Sequence, residues 1–190
     1  LVSGGRDGVA IAWDVRVGKR VGRMAGHKGH VTAVTALGTP LPSTLAAAAS
    51  ADPSSPAGAM RLREDAVLFA TGGQDGHVRV WDVRNKRAVA NVAAHVGLEG
   101  AGAVGDLVFS PQSNVLLSAG ADAAVCVMDP RRGFQVRHRF EEHKDFIYSL
   151  QVAGAVVLSG AGDGTLFAHD LNLGTPLWAL GANEAAVRCI

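Results

Sequence analysis

Ser, His and Asp are the residue types of a nucleophilic hydrolase site, and in this chain they recur at fixed spacing. A Ser or Thr stands four residues before an Asp in Ser3/Asp7, Thr71/Asp75, Ser118/Asp122 and Ser159/Asp163. His27, His95 and His143 lie upstream of the last three of these pairs. Acyl transfer needs one nucleophile, one base within hydrogen-bond reach and an oxyanion hole. An enzyme has no use for the same set written several times along one chain. The recurring set therefore reads as structure, with no catalytic residue and no cofactor. Metal chemistry finds no better footing. Cys126 and Cys189 are the two cysteines, far apart and without C-x-x-C spacing, which suggests neither zinc nor a disulfide framework. Gly162-Asp163-Gly164 lacks the further carboxylates of a calcium loop. No G-x-x-x-x-G-K-[ST] phosphate loop occurs.

The elements that must position these residues are repeats. GGRDGVAIAWDVR at 4–16 returns as GGQDGHVRVWDVR at 72–84, and more faintly as SAGADAAVCVMD at 118–129 and SGAGDGTLFAHD at 159–170. Six residues after each turn Asp comes one slot, filled by Trp13, Trp81, Met128 and His169, and an Asp follows each. The turn Asp residues stand 68, 47 and 41 residues apart. The last two distances fit a period of about 40–45 residues, and an insertion of roughly 25 accounts for the first. Residues 38–65, rich in Pro, Ala and Ser, read as that insertion, a disordered loop. The His residues each precede a hydrophobic strand, and NEAAVRCI at 183–190 fits the same frame with Asn183 in the His place.

These residues resemble the WD-repeat (WD40) family of β-propellers. The pattern Gly-His, strand, Ser-x-x-x-Asp-Gly, strand, Trp-Asp stands here as Gly26-His27, Thr71, Asp75-Gly76 and Trp81-Asp82. Short β-rich runs separated by Gly/Asp/Asn turns agree with an all-β propeller of four-stranded antiparallel blades. The expected units are a partial blade at 1–24, blades at 27–92, 95–140 and 143–180, and the first strand of a further blade at 183–190. Strands named A to D from the centre outwards are expected near 31–37, 66–71, 77–82 and 87–92 in the second blade. The third has 103–109, 115–118, 124–128 and 134–140, and the fourth 146–152, 155–159, 165–170 and 176–180. The whole reads as an open arc of three complete blades and parts of two more, a fragment of a larger, seven-bladed ring. The alternative is a small ring in which residues 187–190 complete the first blade.

The resemblance implies that Asp, His, Ser/Thr and Trp form a buried hydrogen-bond chain in each blade. His27, Thr71, Asp75 and Trp81 are the complete set. Ser3, Asp7 and Trp13, then His95, Ser118 and Asp122, then His143, Ser159 and Asp163 are partial ones. Met128 is an apolar filler without a donor, whereas His169 in the same slot still has one; a pH-sensing reading of His169 near Asp163 is the lesser alternative.

A meander puts the D–A and B–C loops on one face and the A–B and C–D loops on the other. The resemblance implies partner contacts on the first face, at Arg6, Gln74, Ala121 and Gly162 before each turn Asp. Lys28, His30, Lys144, Phe146, Glu184 and Ala186 follow the His positions. The set leans basic with one aromatic anchor, which suits an acidic peptide or protein segment. On the second face Arg16, Arg84 and Arg131 stand two residues after the strand-end Asp. W-D-x-R resembles the motif by which many WD-repeat proteins join cullin-based ubiquitin ligases as substrate receptors. A third class is RNA-associated assembly through Arg131, Arg132, Arg137 and Arg139, whose alternation also suits a solvated outer strand. The expected role is a non-enzymatic scaffold for other proteins within a multi-protein complex, intracellular, cytoplasmic or nuclear. Eighteen Lys and Arg against 17 Asp and Glu give no global pull towards nucleic acid or an anionic membrane. No apolar run approaches the roughly 18 residues of a membrane span, and no small-molecule substrate is indicated.

Overall fold

The computed structural model describes residues 1–38, 67–97, 100–181 and 184–190. Four successive antiparallel sheets run along the chain. The first holds β1 (Val2–Gly4), β2 (Val9–Asp14) and β3 (Lys19–Ala25). The second holds β4 (Val31–Ala36), β5 (Leu68–Gly73), β6 (Val78–Asp82) and β7 (Arg87–Val92). A small hairpin of β8 (Val96–Gly97) and β9 (Gly100–Ala101) leads to the third sheet. That sheet is β10 (Val104–Ser110), β11 (Val115–Gly120), β12 (Val125–Asp129) and β13 (Gln135–Phe140). The fourth is β14 (Ile147–Ala153), β15 (Val156–Ala161), β16 (Leu166–Asp170) and β17 (Thr175–Leu180). Each is an up-and-down meander in chain order, so the all-β, open arc of propeller blades is observed. The second strands run two residues past their expected ends, to Gly73, Gly120 and Ala161. The insertion 38–65 lies outside the described residues apart from Gly38, and so does Asn183.

The central strands do not alternate inside and outside. β5, β6 and β11 are buried at every position, because a neighbouring blade covers each face. Ala10, Ala12 and Met24 of the first blade meet Phe69 and Trp81 of the second. Leu68, Ala70, Val78 and Val80 of the second meet Leu107, Leu116, Met128 and Phe134 of the third. Val115, Leu117, Val125 and Val127 of the third meet Ile147, Leu150, Val157 and Leu171 of the fourth. The core is thus a series of interfaces between sheets, and most of the apolar burial that stabilises the chain lies there.

Close approach at these interfaces explains a repeated glycine. A Cβ placed on Gly4, Gly72 or Gly160 would lie 2.5, 2.4 or 2.5 Å from Cγ1 of Val31, Val104 or Val187 of the next blade. Val187 therefore holds the place that Val31 and Val104 hold, and its N–H reaches Ala161 O at 2.9 Å just as Val31 N–H reaches Gly5 O at 3.0 Å. Residues 184–190 nevertheless form no strand, unlike the expectation for 183–190. The physical reason is that, among the described residues, no strand pairs with them to complete a ladder.

Register shifts recur at one place. Between the third and fourth strands the pairing slips at Ala12/Trp13, Val80/Trp81, Val127/Met128 and Ala168/His169. Each slip leaves one extra residue in the outer strand and re-aims the side chain in the Trp slot.

Candidate functional site: blade clamps and the two faces

The clamp starts at the B–C turn. Gly8, Gly76 and Gly164 follow their Asp with φ of 73°, 72° and 75°, a left-handed conformation that costs glycine nothing. Ala123 takes the same conformation at φ 58° in the third blade. The turn aims the Asp carboxylate back over its own backbone, where Asp75 Oδ1 accepts from His77 N–H at 3.3 Å.

In the second blade four groups form one directed chain. Trp81 Nε1–H donates to Thr71 Oγ1 at 2.8 Å. The Thr71 hydroxyl donates to His27 Nε2 at 2.8 Å, which leaves the ring proton on Nδ1, 2.8 Å from Asp75 Oδ1. With the neutral Nδ1–H tautomer assigned, every member of the chain has a partner, and Arg79 Nη1 also stands 2.7 Å from Nδ1. Burial lowers the His27 pKa against the pull of Asp75. Burial would raise Asp75, but bonds from Lys28 N–H, His27 and Arg79 outweigh it and hold the carboxyl well below the usual range.

The other blades vary the theme. In the first, Trp13 Nε1–H donates to Ser3 Oγ at 2.9 Å, and Asp7 accepts from Val9 N–H at 3.2 Å. In the third, His95 bridges Asp122 at 2.7 Å and Ser118 at 2.8 Å, while Met128 fills the Trp slot fully buried. In the fourth, His143 Nε2 meets Ser159 Oγ at 2.8 Å, but its Nδ1 meets Thr165 Oγ1 at 3.0 Å. Thr165 donates in turn to Asp163, which stands 3.7 Å from the imidazole. His169 donates to neither Ser159 nor Asp163. Its Nε2 reaches Glu142 Oε2 at 3.0 Å and its ring stacks on Phe140 at 4.1 Å, so the pairing imagined with Asp163 gives way to one with Glu142.

Sequence reasoning missed four members of these clamps: Arg79, Arg139, Thr165 and Glu142. Arg79 Nη1 donates to Asp75 Oδ2 at 2.9 Å, and Arg139 Nη2 to Asp122 Oδ2 at 2.6 Å. Arg79 sits four residues after its Asp, a place that Ile11, Cys126 and Phe167 hold in the other blades, so no repeat announced it. Arg139 comes from β13, opposite Cys126, which occupies the Arg79 place in the third blade.

On the first face, Asp75 Oδ2 and Asp163 Oδ2 each accept from the following blade position, Lys28 N–H and Lys144 N–H, both at 2.9 Å. The Lys28 and Lys144 side chains are exposed, as are Arg6, Gln74, Ala121 and Glu184, while His30, Phe146, Gly162 and Ala186 are half-buried. Phe146 packs against Tyr148 with ring centroids 4.6 Å apart.

On the second face, the Asp that follows the Trp slot closes the C–D turn with its side chain. Asp14, Asp82, Asp129 and Asp170 Oδ1 accept from Arg16, Arg84, Arg131 and Asn172 N–H at 2.9, 2.9, 2.8 and 2.7 Å. The side chains of Arg16, Arg84 and Arg131 are exposed, with Arg16 Nε 3.6 Å from Asp14. Of the four arginines grouped for RNA, Arg139 is held by Asp122 and Glu141, and Arg137 donates to Asn172 O at 3.2 Å. Among the described residues no three His, Cys, Asp or Glu side chains gather as a metal site, and no helix is long and apolar enough to cross a membrane.

Comparison with known proteins agrees with this geometry. The family model "WD domain, G-beta repeat" matches residues 54–82 and 90–129. The mouse (Mus musculus) "WD repeat and SOCS box-containing protein 1" is 30% identical over 90 residues, 47% of this chain and 20% of that protein. The Arabidopsis thaliana "DENN domain and WD repeat-containing protein SCD1" is 26% identical over 199 residues, 100% of this chain and 14% of that protein. "Nuclear distribution protein nudF" of Aspergillus niger is 26% identical over 151 residues, 80% of this chain and 32% of that protein. The chain thus spans a third or less of the length of these relatives. The crystal structure of the computationally designed Ika8 protein superposes with a TM-score of 0.72 at 24% identity, over 99% of this chain and 48% of that one. Repeat pattern, blade topology and relatives agree, and the chain belongs to the WD-repeat family.

Proposed function

We propose that this chain is a non-enzymatic scaffold that binds other proteins inside the cell, in cytoplasm or nucleus, as part of a multi-protein complex. One observation carries the reading. The same Asp carboxylates that close the clamps also hold the N–H groups of Lys28 and Lys144, so the clamp displays those side chains on the first face. Arg6, Lys28, His30, Gln74, Lys144, Phe146 and Glu184 then form the binding surface, basic with an aromatic anchor. The expected partner is an acidic peptide segment. Fluorescence anisotropy with labelled acidic peptides tests this: a Lys28→Glu/Lys144→Glu chain should lose binding that the parent shows. Equal binding by both chains would refute the assignment.

A second reading is a substrate receptor of a cullin-based ubiquitin ligase. It is favoured by the Asp-closed turns, which present Arg16, Arg84 and Arg131 outwards from three blades. The planar guanidinium suits bidentate contact with carboxylates or carbonyls of an adaptor. The likeness to a WD-repeat and SOCS box-containing protein points the same way. Co-precipitation with the ligase adaptor that is lost on Arg16→Ala/Arg84→Ala supports it, and retention by the double variant sinks it.

A further inference from the structure

The near-zero net charge conceals an uneven distribution. Eight of the 18 Lys and Arg stand in or beside three C–D turns. Arg16, Lys19 and Arg20 flank the first, and Arg84, Lys86 and Arg87 the second. Arg131 and Arg132 form the third, and all eight residues are exposed. Lys19, Arg20, Lys86, Arg87, Arg131 and Arg132 make no side-chain ion pair among the described residues. The carboxylates nearest them, Asp14, Asp82 and Asp129, are turned onto backbone N–H groups. The two described A–B turns on the same face, 111–114 and 154–155, carry no charge. The opposite face is mixed: Asp7, Asp75, Asp122 and Asp163 in the B–C turns and Glu141, Glu142 and Asp145 in a D–A loop share it with Arg6, Lys28 and Lys144.

Two of the C–D turns abut the outer strand of the preceding blade: Lys86 lies against Gly22 of β3, and Asn172 O takes a bond from Arg137 of β13. The basic row also ends in aliphatic tips. Val15 and Val17 in the first turn are 67% and 62% exposed, and Leu173 in the fourth is 71% exposed.

We propose that this second face docks on an anionic lipid bilayer, with the basic turns on headgroups and Val15, Val17 and Leu173 inserting shallowly. Turn tips from successive blades on one side of a disc define a plane, and a plane is what a bilayer offers. RNA would call for stacking rings, but the one aromatic of these turns, Phe134, is fully buried. A protein interface concentrates its energy in desolvated pockets, whereas Val15, Val17 and Leu173 stand out in solvent at the turn tips. Basic residues plus buried aliphatic area are the two signals that together hold a peripheral protein at a membrane. The inference goes beyond the proposed scaffold and leaves its first face open for a partner.

Vesicle flotation of the 190-residue chain tests it, with phosphatidylcholine alone against phosphatidylcholine containing roughly a third phosphatidylserine. Binding should require phosphatidylserine and fall as salt rises. Each cation removed should weaken it about fivefold, so Lys19→Glu/Lys86→Glu/Arg132→Glu should lose at least about a hundredfold. Those positions leave Arg16 and Arg84 intact, which keeps the outcome separate from the ligase reading. The single Lys86→Glu chain repeats the test with minimal change to the fold. Val15→Ser/Val17→Ser/Leu173→Ser should weaken binding and leave the remainder more salt-sensitive. The proposal is overturned by equal binding to neutral vesicles, or by no binding to anionic ones. Stronger capture by polyuridylate or polyglutamate, lost with the same triple variant, would assign the band to RNA or to an acidic protein instead.

Discussion

Replacing Thr71 by Val removes one hydroxyl and strands two neighbours. Thr71 is fully buried, accepts from Trp81 Nε1–H at 2.8 Å and donates to His27 Nε2 at 2.8 Å. Val keeps the volume and branching, so little of the effect comes from packing. The indole N–H then has no acceptor. His27 Nε2 loses its partner as well. Each buried polar group left without a partner costs about 1–3 kcal/mol, so Thr71→Val should cost about 2–6 kcal/mol. Ser118→Ala is the internal control. Met128 replaces the indole there, so only His95 Nε2 is stranded, and the cost should be about 1–3 kcal/mol. Urea denaturation measures both, through midpoints at unchanged slope. A cycle with Trp81→Phe sharpens the test: once the indole N–H is gone, removing the Thr71 hydroxyl should cost about 1–3 kcal/mol less. The reasoning fails if Thr71→Val costs no more than Ser118→Ala, or if the cycle is additive.

Acid should destabilise the chain in two stages. Burial lowers the folded pKa of His27, His143 and His169 below 6.5, so their stabilisation is complete above that pH and declines as pH falls through it. Asp163 is held at about 2 against 3.8, so its share is lost as pH falls from about 4 towards 2; thermal melts across this range read both stages. Burial raises the Cys126 thiol to about 11, whereas Cys189 is exposed, so a maleimide should label Cys189 in the native chain and Cys126 only after denaturation. Ala123→Gly should raise the unfolding midpoint, by about 0.5–1 kcal/mol, since it relieves a left-handed alanine; a lower midpoint would refute this.

The strands were legible because three of the four B–C turns announce themselves with Asp-Gly and each third strand ends on Asp. Trp81 and Thr71 stand at repeating distances from Asp75, and the resemblance to the family added His27 to the group. Arg139 could not be grouped in this way, since it reaches Asp122 across a strand pair and its own surroundings, QVRHRF, read as a solvated outer strand. Thr165 was hidden for a different reason. It looks like the first residue of a strand, and only the 3.7 Å gap between His143 and Asp163 makes room for its hydroxyl. Glu142 sits just beyond β13, where a carboxylate normally signals nothing but solubility, and a stacked imidazole gives it a partner. The sequence pattern also concealed the charge asymmetry, because loop composition separates into faces only once strand direction is known.

Arg79 and Arg139 deliver the same guanidinium to the same carboxylate from different strands. A column-by-column comparison of the blades would set Arg79 beside Cys126 and score the position as drifted. It would then treat Arg139 as an incidental surface residue. Repeats that diverge in this way keep a function while moving its address, so a mutation at one column can be silent in one blade and damaging in the next. For a duplicated fold this is a source of freedom: each blade can accept substitutions that its siblings forbid, and the loops it carries can specialise without disturbing the ring.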